Sequence, residues 1–137
     1  MNWLFKEEPD NYSFDALVKD KQTVWSGVKN PVAQKNLHAV KKGDRIFYYH
    51  TGKEKSVVGI ARALDDSYPD PKVAGGKAAV VDVGPVQKLP RPVTLAEIKA
   101  DPFFKTFALV RISRLSVMPV TDVEWARIEK MASSPSR

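Results

Sequence analysis

The stretch Thr23-Val24-Trp25-Ser26-Gly27-Val28-Lys29-Asn30-Pro31-Val32-Ala33 limits the fold more than any other in the chain. Asparagine is favoured at a helix N-cap, where its side chain accepts from free amides of the first turn. Proline suits the first helical position because its missing N–H has no partner there to lose. A helix therefore starts at Pro31, and a short extended run over 22–25 leads into it. Gly27 permits a sharp turn or a backbone that something approaches closely. Trp25 sets an indole just before that turn, and Lys29 adds a full charge beside a helix end whose N–H groups and dipole already favour anions. A flat ligand bearing an anion, such as a nucleotide, suits this combination. Tryptophan is more often core than platform; Ser26, Gly27 and Lys29, standing where aliphatic neighbours would mark a core segment, weigh the other way.

Around this stretch the periodicity is mixed. Residues 2–6 alternate, Trp3 and Phe5 on one face and Leu4 and Lys6 on the other, which predicts an opening strand. Glu8-Pro9-Asp10-Asn11 breaks it, and Ser13 caps a short helix over 14–19 with Phe14, Leu17 and Val18 inward. In the helix over 31–40, Ala33, Leu37 and Val40 form the buried stripe, and Gln34, Lys35, His38, Lys41 and Lys42 make the other side polar and positive. After a turn at Gly43-Asp44, residues 45–51 have strong strand propensity. Ile46, Tyr48 and His50 share one face, and Arg45, Phe47, Tyr49 and Thr51 the other; one face is expected to be core, leaving the other to line a pocket. A hairpin loop over 52–55 leads to a strand over 56–64, where Gly59 marks a bulge or a close backbone contact. The Pro- and Gly-containing stretch 65–76 is a loop, and 77–89 a strand pair or one long bent strand. Thr94 with Glu97, and Thr121 with Glu124, are capping boxes opening two more helices, the last with Trp125, Ile128 and Ala132 on one face. Residues 103–115 are expected to supply another strand region, stopped by Pro119, and 133–137 to fray. About six strands and three to four short helices, with no β-α-β alternation and no repeat, predict a single α+β domain over 1–137. Its mostly antiparallel sheet would close on itself.

Composition narrows the chemistry. The absence of cysteine excludes disulfides, thiol catalysis and cysteine zinc sites, and fits a reducing compartment. The two histidines, His38 and His50, lack metal-ligand spacing, so no metal or cofactor is expected. No nucleophile elbow, Walker loop or paired carboxylates at helical spacing appear, and no apolar run is long enough to span a bilayer. The N-terminus lacks the regions of a signal peptide, so a cytoplasmic or nuclear location is expected, with no membrane partner. Lysine and arginine number 22 against 16 acidic residues, a net charge of +6, which suits phosphates through counterion release. Lys6, Glu8 and His50 are catalytic-type residues near strand ends, more simply read as solvated charges and a hydrogen-bonded histidine.

Several ordered blocks resemble one family. Trp3-Leu4-Phe5-Lys6-Glu7-Glu8-Pro9 is similar to the W-L-x-K-x-E-P opening of EVE domains. Trp25-Ser26-Gly27-Val28-Lys29-Asn30 with Ala33 resembles W-x-G-V-R-N-x-x-A, and Gly43-Asp44 through Thr51 resembles G-D-x-x-F-F-Y-H-S. Gly59-Ile60-Ala61, Tyr68-Pro69-Asp70-Pro71, Val81-Asp82-Val83 and the run from Arg114 to Thr121 continue the match in order. The resemblance implies a PUA-like pseudobarrel, related to ASCH and YTH domains, with a pocket for a modified base in DNA or RNA. Carried across, Trp25 stacks on the base and the Ser26 backbone bonds its edge. Glu8 and Asn30 read polar atoms, while Tyr49, His50 and Thr51 wall the pocket. Lys6 sits near a phosphate, and Lys29 and Lys35 are the further expected phosphate contacts. Lys29 replaces the family arginine, Glu7 and Thr51 replace serines, and Ala78 stands in place of a tryptophan, which opens one side of the pocket. The leading expectation is a non-catalytic module that binds nucleic acid containing a modified base. The alternative is a nucleobase-processing enzyme of the related ASCH type using Lys6, Glu8 and Thr51, and the third a protein-interaction domain whose aromatics are simply core.

Overall fold

In the computed structural model, which describes residues 1–73, 75 and 77–134, seven strands form one curled sheet. β1 (Asn2–Glu7), β2 (Thr23–Trp25), β3 (Arg45–His50), β4 (Ser56–Ala63), β6 (Ala79–Thr94) and β7 (Val117–Val120) lie in the order β2-β6-β4-β3-β1-β7, and β5 (Tyr68–Pro69) pairs with β6. All pairings are antiparallel except β1 with β3, which run parallel from Asn2↔Arg45 to Glu7↔His50.

The curl follows from one contact. β2 and β1 are four strand spacings apart, about 19 Å in a flat sheet, yet the Trp25 and Phe5 rings have centroids 5.2 Å apart. The sheet therefore wraps so that side chains of its edge strand reach those of β1 across the interior, a pseudobarrel with two free edges. Phe14, Leu17, Leu37 and Tyr48 pack in the same core. On the outer face Phe47 stacks on Trp125 at 3.6 Å and 14°. Residues Ile46 to His50 are consequently all buried: β3 is covered on both faces.

Among the described residues six α-helices surround the sheet: α1 (Pro9–Tyr12), α2 (Phe14–Asp20), α3 (Pro31–His38), α4 (Leu95–Ala100), α5 (Ala108–Arg111) and α6 (Asp122–Ser133). Local chemistry accounts for most starts. The Ser13 hydroxyl accepts from the Ala16 amide, Asn30 Oδ1 accepts from the amides of Val32 and Ala33, and both capping boxes form. Gly59 is a close approach: a methyl group there would fall 2.6 Å from the Phe14 ring, and β4 shifts register against β6 between Val57 and Gly59.

Four local expectations are corrected. The segment 103–115 forms no strand; a 3-10 turn (Pro102–Phe104) and α5 occupy it, because Phe104, Phe107 and Leu109 turn into the core together. Pro119 does not stop a strand but sits exposed inside β7, an edge strand with no further partner beyond it, where a missing N–H costs nothing. The break at Glu8 to Asn11 contains one helical turn, α1, with Pro9 at its start. Val18 is 50% exposed; Phe14 and Leu17 alone bury the α2 face. Of the segment expected to fray, Ser133 ends α6, and residues 135–137 lie outside the described residues.

Candidate nucleic-acid interface

Two groups of side chains emerge from the expected pocket set, on opposite faces of the β1–β3 pair. Consecutive residues of a strand point to opposite faces, so the register that pairs Phe5 with Tyr48 and Lys6 with Tyr49 sends the first pair inward and the second outward.

Trp25 belongs to the inner group. It is 6% exposed, tilted against Phe5 and edge-on to Tyr48 at 5.4 Å, so most of the indole is core. The chain then leaves β2 as a loop in which Ser26, Gly27, Lys29 and Asn30 are exposed. Gly27 has φ +76° with nothing near its Cβ position, which makes it a turn glycine, not a close approach. Gln34 fixes the loop from the first turns of α3: its Nε2 donates to the Val28 carbonyl at 2.7 Å, and its Oε1 accepts from the Ala79 amide at 2.8 Å. Asn30 commits its carbonyl oxygen to the helix cap at 2.9 and 3.0 Å, so that oxygen orders α3 and its Nδ2 is the group left to face outward. Lys29, in the loop, and Lys35, in α3, are both exposed. Ala78 is half-buried, and its carbonyl accepts from the Asp70 amide at 2.8 Å.

His50 also faces inward. Its Nε2 accepts from the Phe14 amide at 3.0 Å, which places the ring hydrogen on Nδ1, beside Glu54 Oε1 at 3.0 Å. Together with its edge contact to Tyr48, this makes it a bonded structural histidine. Burial pushes the Tyr48 phenol well above its ordinary range, with the nearby charges of Glu7 and Tyr12 adding to it, and Tyr48 Oη donates to the Tyr12 carbonyl.

The outer group meets where β1 and β3 end together. Lys6, Tyr49 and Thr51 line a cavity of about 270 Å³ whose far wall is Leu95, Leu109 and Val110. Lys6 Nζ donates to the Ser113 carbonyl at 2.9 Å and lies 5.7 Å from the centre of the Tyr49 ring. Burial lowers the Lys6 ammonium below its ordinary pKa and pushes the Tyr49 phenol up to about 12. Glu8 joins through Thr51, whose hydroxyl donates to Glu8 Oε1 at 2.6 Å. Lys55 and Lys99 also line the cavity and are exposed. Sequence reasoning missed these two and the apolar wall. Leu95 and Lys99 arrive because α4 docks on the hairpin loop, the Leu95 amide donating to the Lys55 carbonyl at 2.7 Å, and Leu109 and Val110 come from α5; no local pattern announces either contact.

The structure thus brings Lys6, Glu8, Tyr49 and Thr51 together and sets Trp25, Ser26 and Asn30 apart from them. Among the described residues no cluster of side chains suits a metal ion, and no helix is long and apolar enough to cross a membrane.

The EVE domain family model matches residues 1–131. The chain belongs to the EVE domain family. Thymocyte nuclear protein 1 from Homo sapiens is 30% identical over 159 aligned residues, covering 90% of this chain and 70% of that protein. A crystal structure of human THYN1 in complex with 5-methylcytosine-containing DNA superposes with TM-score 0.87 and 26% identity, covering 98% of this chain and 99% of that one. A solution structure from Rhodopseudomonas palustris gives TM-score 0.91 and 44% identity, covering 96% and 92%. The ASCH protein of Zymomonas mobilis, at 14% identity and TM-score 0.57 with 95% and 94% coverage, shares the fold. The domain is therefore a PUA-like pseudobarrel of the EVE type.

Proposed function

We propose that this EVE domain is a non-catalytic module that captures a modified nucleobase carried by DNA or RNA, receiving the base at the exposed 26–30 loop with Trp25 as the wall behind it. The observation that carries this reading is the human relative bound to 5-methylcytosine-containing DNA, which matches nearly the whole chain. The loop supports it: Ser26, Gly27, Lys29 and Asn30 are exposed, Gln34 fixes it, and Lys35 is exposed on the helix that follows. A base leaves its stack at a cost of a few kcal/mol, and an aromatic contact returns about 1–3 kcal/mol. One added methyl distinguishes ligands by about 1–3 kcal/mol, so selectivity for a methylated base is modest and raw affinity is electrostatic.

The test is fluorescence anisotropy with duplexes carrying 5-methylcytosine or cytosine at matched salt. Trp25→Ala is a poor probe, because emptying that core position costs about 3–5 kcal/mol of stability. Trp25→Phe and the exposed Lys29→Ala keep the fold. Tighter binding of the methylated duplex, with preference reduced in Trp25→Phe and overall affinity reduced in Lys29→Ala, supports the reading. Equal binding of both duplexes by all three proteins sinks it.

One observation favours a second reading. Thr51 bonded to Glu8, with Lys6 on the same cavity, gives an amine of lowered basicity beside a hydroxyl–carboxylate pair, the residue types expected of an ASCH-like hydrolase. Release of acetate from N4-acetylcytidine, lost in Lys6→Ala, would establish it; no release by the wild-type protein removes it.

A further inference from the structure

The cavity on the outer face of β1 and β3 has a composition that base capture at the 26–30 loop does not use. Three lysines line it, Lys6, Lys55 and Lys99, against one carboxylate at its rim, Glu8, which accepts from the hydroxyl of the lining Thr51 at 2.6 Å. Among the described residues none of the three is in an ion pair. Lys6 is half-buried, and the hydrogen bond shown for its ammonium goes to a neutral carbonyl. A cation withdrawn from water without a counter-ion is a costly arrangement that an anion relieves. The remaining wall is the buried Tyr49 ring with Leu95, Leu109 and Val110, which suits a flat, weakly polar group, while Ser113 brings a hydroxyl to its margin and Thr51, whose hydrogen goes to Glu8, an acceptor oxygen. At about 270 Å³ the space lies just under the range of roughly 300–1,000 Å³ usual for small-molecule sites. A space of that size suits one ring with its attached anion.

We propose that this cavity binds a single nucleotide, the ring against Tyr49 and the leucines and the phosphate between Lys6, Lys55 and Lys99. The occupant is either a free mononucleotide or one nucleotide of a strand. The site lies across the sheet from Trp25, so it requires neither base capture at the loop nor catalysis.

The experiment is an amide chemical-shift titration of the full chain with cytidine 5′-monophosphate, cytidine, inorganic phosphate and a cytidine pentanucleotide. The monophosphate should shift Thr51, Gly52, Lys55 and Val110 saturably and bind at least about tenfold tighter than cytidine or phosphate alone, with binding weakened by salt. Lys55→Glu with Lys99→Glu, both at exposed positions, should weaken it by at least about tenfold without altering the unliganded spectrum beyond the substituted sites. If the pentanucleotide shifts the same amides more strongly per nucleotide, the source is a strand; if only the monophosphate does, it is a free nucleotide. No shift at these four amides overturns the proposal, as does affinity indifferent to both substitutions. Shifts confined to 26–30 overturn it while leaving base capture at the loop intact.

Discussion

Gly59→Ala tests whether the interior is as closely packed as the geometry requires. Gly59 lies mid-strand in β4, opposite Tyr48 of β3, and its φ is not in the left-handed region. In a strand interior, alanine in place of glycine ordinarily stabilises by roughly 0.5–1 kcal/mol through backbone entropy. Here the added methyl meets three Phe14 ring carbons at 2.6–2.7 Å, whereas ordinary contact begins at 3.4 Å, so the ring must retreat by about 0.8 Å. Phe14 has little freedom to do so. It is 1% exposed, its ring is edge-on to Tyr48 at 5.5 Å, and its own amide donates to His50 Nε2 at 3.0 Å. Overpacking therefore wins, with a net loss of about 1–3 kcal/mol. For a chain of this size that lowers Tm by about 3–9 °C, read by circular dichroism melting. Phe14→Leu on the Gly59→Ala background should recover part of the loss, although Phe14→Leu alone destabilises; that opposite sign isolates the clash in a double-mutant cycle. A Tm equal to or above wild type in Gly59→Ala, or additive effects in the double variant, refutes the packing argument.

Three further outcomes are expected. Burial raises the Asp44 carboxyl, but the Trp3 indole N–H, the Lys41 amide and the Met1 ammonium outweigh it and hold the pKa below the ordinary value. A depressed folded pKa contributes stability above the unfolded value and loses it as pH falls through the folded one. Asp44→Asn should therefore cost about 1–3 kcal/mol in urea unfolding at neutral pH, a difference that closes on acidification below about pH 4. Glu97, held at about 2 by the Arg91 guanidinium and the Thr94 amide and hydroxyl, follows the same sign: Glu97→Gln should lower stability by about 1–2 kcal/mol at pH 7 after allowance for solvent screening, with the gap shrinking as pH falls from about 4.5 toward 2. Lys29→Ala and Lys35→Ala, both exposed, should each weaken duplex binding irrespective of methylation and flatten the log K against log salt slope by about 1, with stability unchanged within about 0.5 kcal/mol.

Features set by neighbouring residues were legible in the sequence, and features set by docking were not. Asn30-Pro31, Ser13 and the two Thr-x-x-Glu boxes act within one helical turn, and each forms its cap. Gly59 was readable because a glycine amid β-branched residues weakens its strand, a loss that a bulge or a close neighbour accounts for, and here both are present. The segment 103–115 misled because aromatic and aliphatic residues in a short run carry strand propensity whatever they pack against; Asp101-Pro102 and the joint burial of Phe104, Phe107 and Leu109 decided for turns. Of the eight residues expected at one base-binding pocket, the structure gathers Lys6, Glu8, Tyr49 and Thr51 where β1 and β3 end together. Alternation had already put Tyr49 and His50 on opposite faces. It also set Lys6 opposite Phe5, the residue Trp25 packs against; only the wrap of the sheet reveals that contact.

Both sites depend on the parallel pairing of β1 with β3. Antiparallel neighbours would carry their C-terminal residues to opposite ends of the sheet. Parallel ones deliver them to the same end, which is why Thr51 reaches Glu8 across 43 residues and why Lys6 and Tyr49 share a wall. Parallel pairing also demands a long crossover, and the one between β1 and β3 contains α2, β2, the 26–30 loop and α3. The loop proposed to receive the base is thus part of the connection that makes the cavity possible. Gln34, by tying that loop to the start of β6, and Trp25, by packing on Phe5 and Tyr48, lock the crossover to β6 and to the β1–β3 pair it connects.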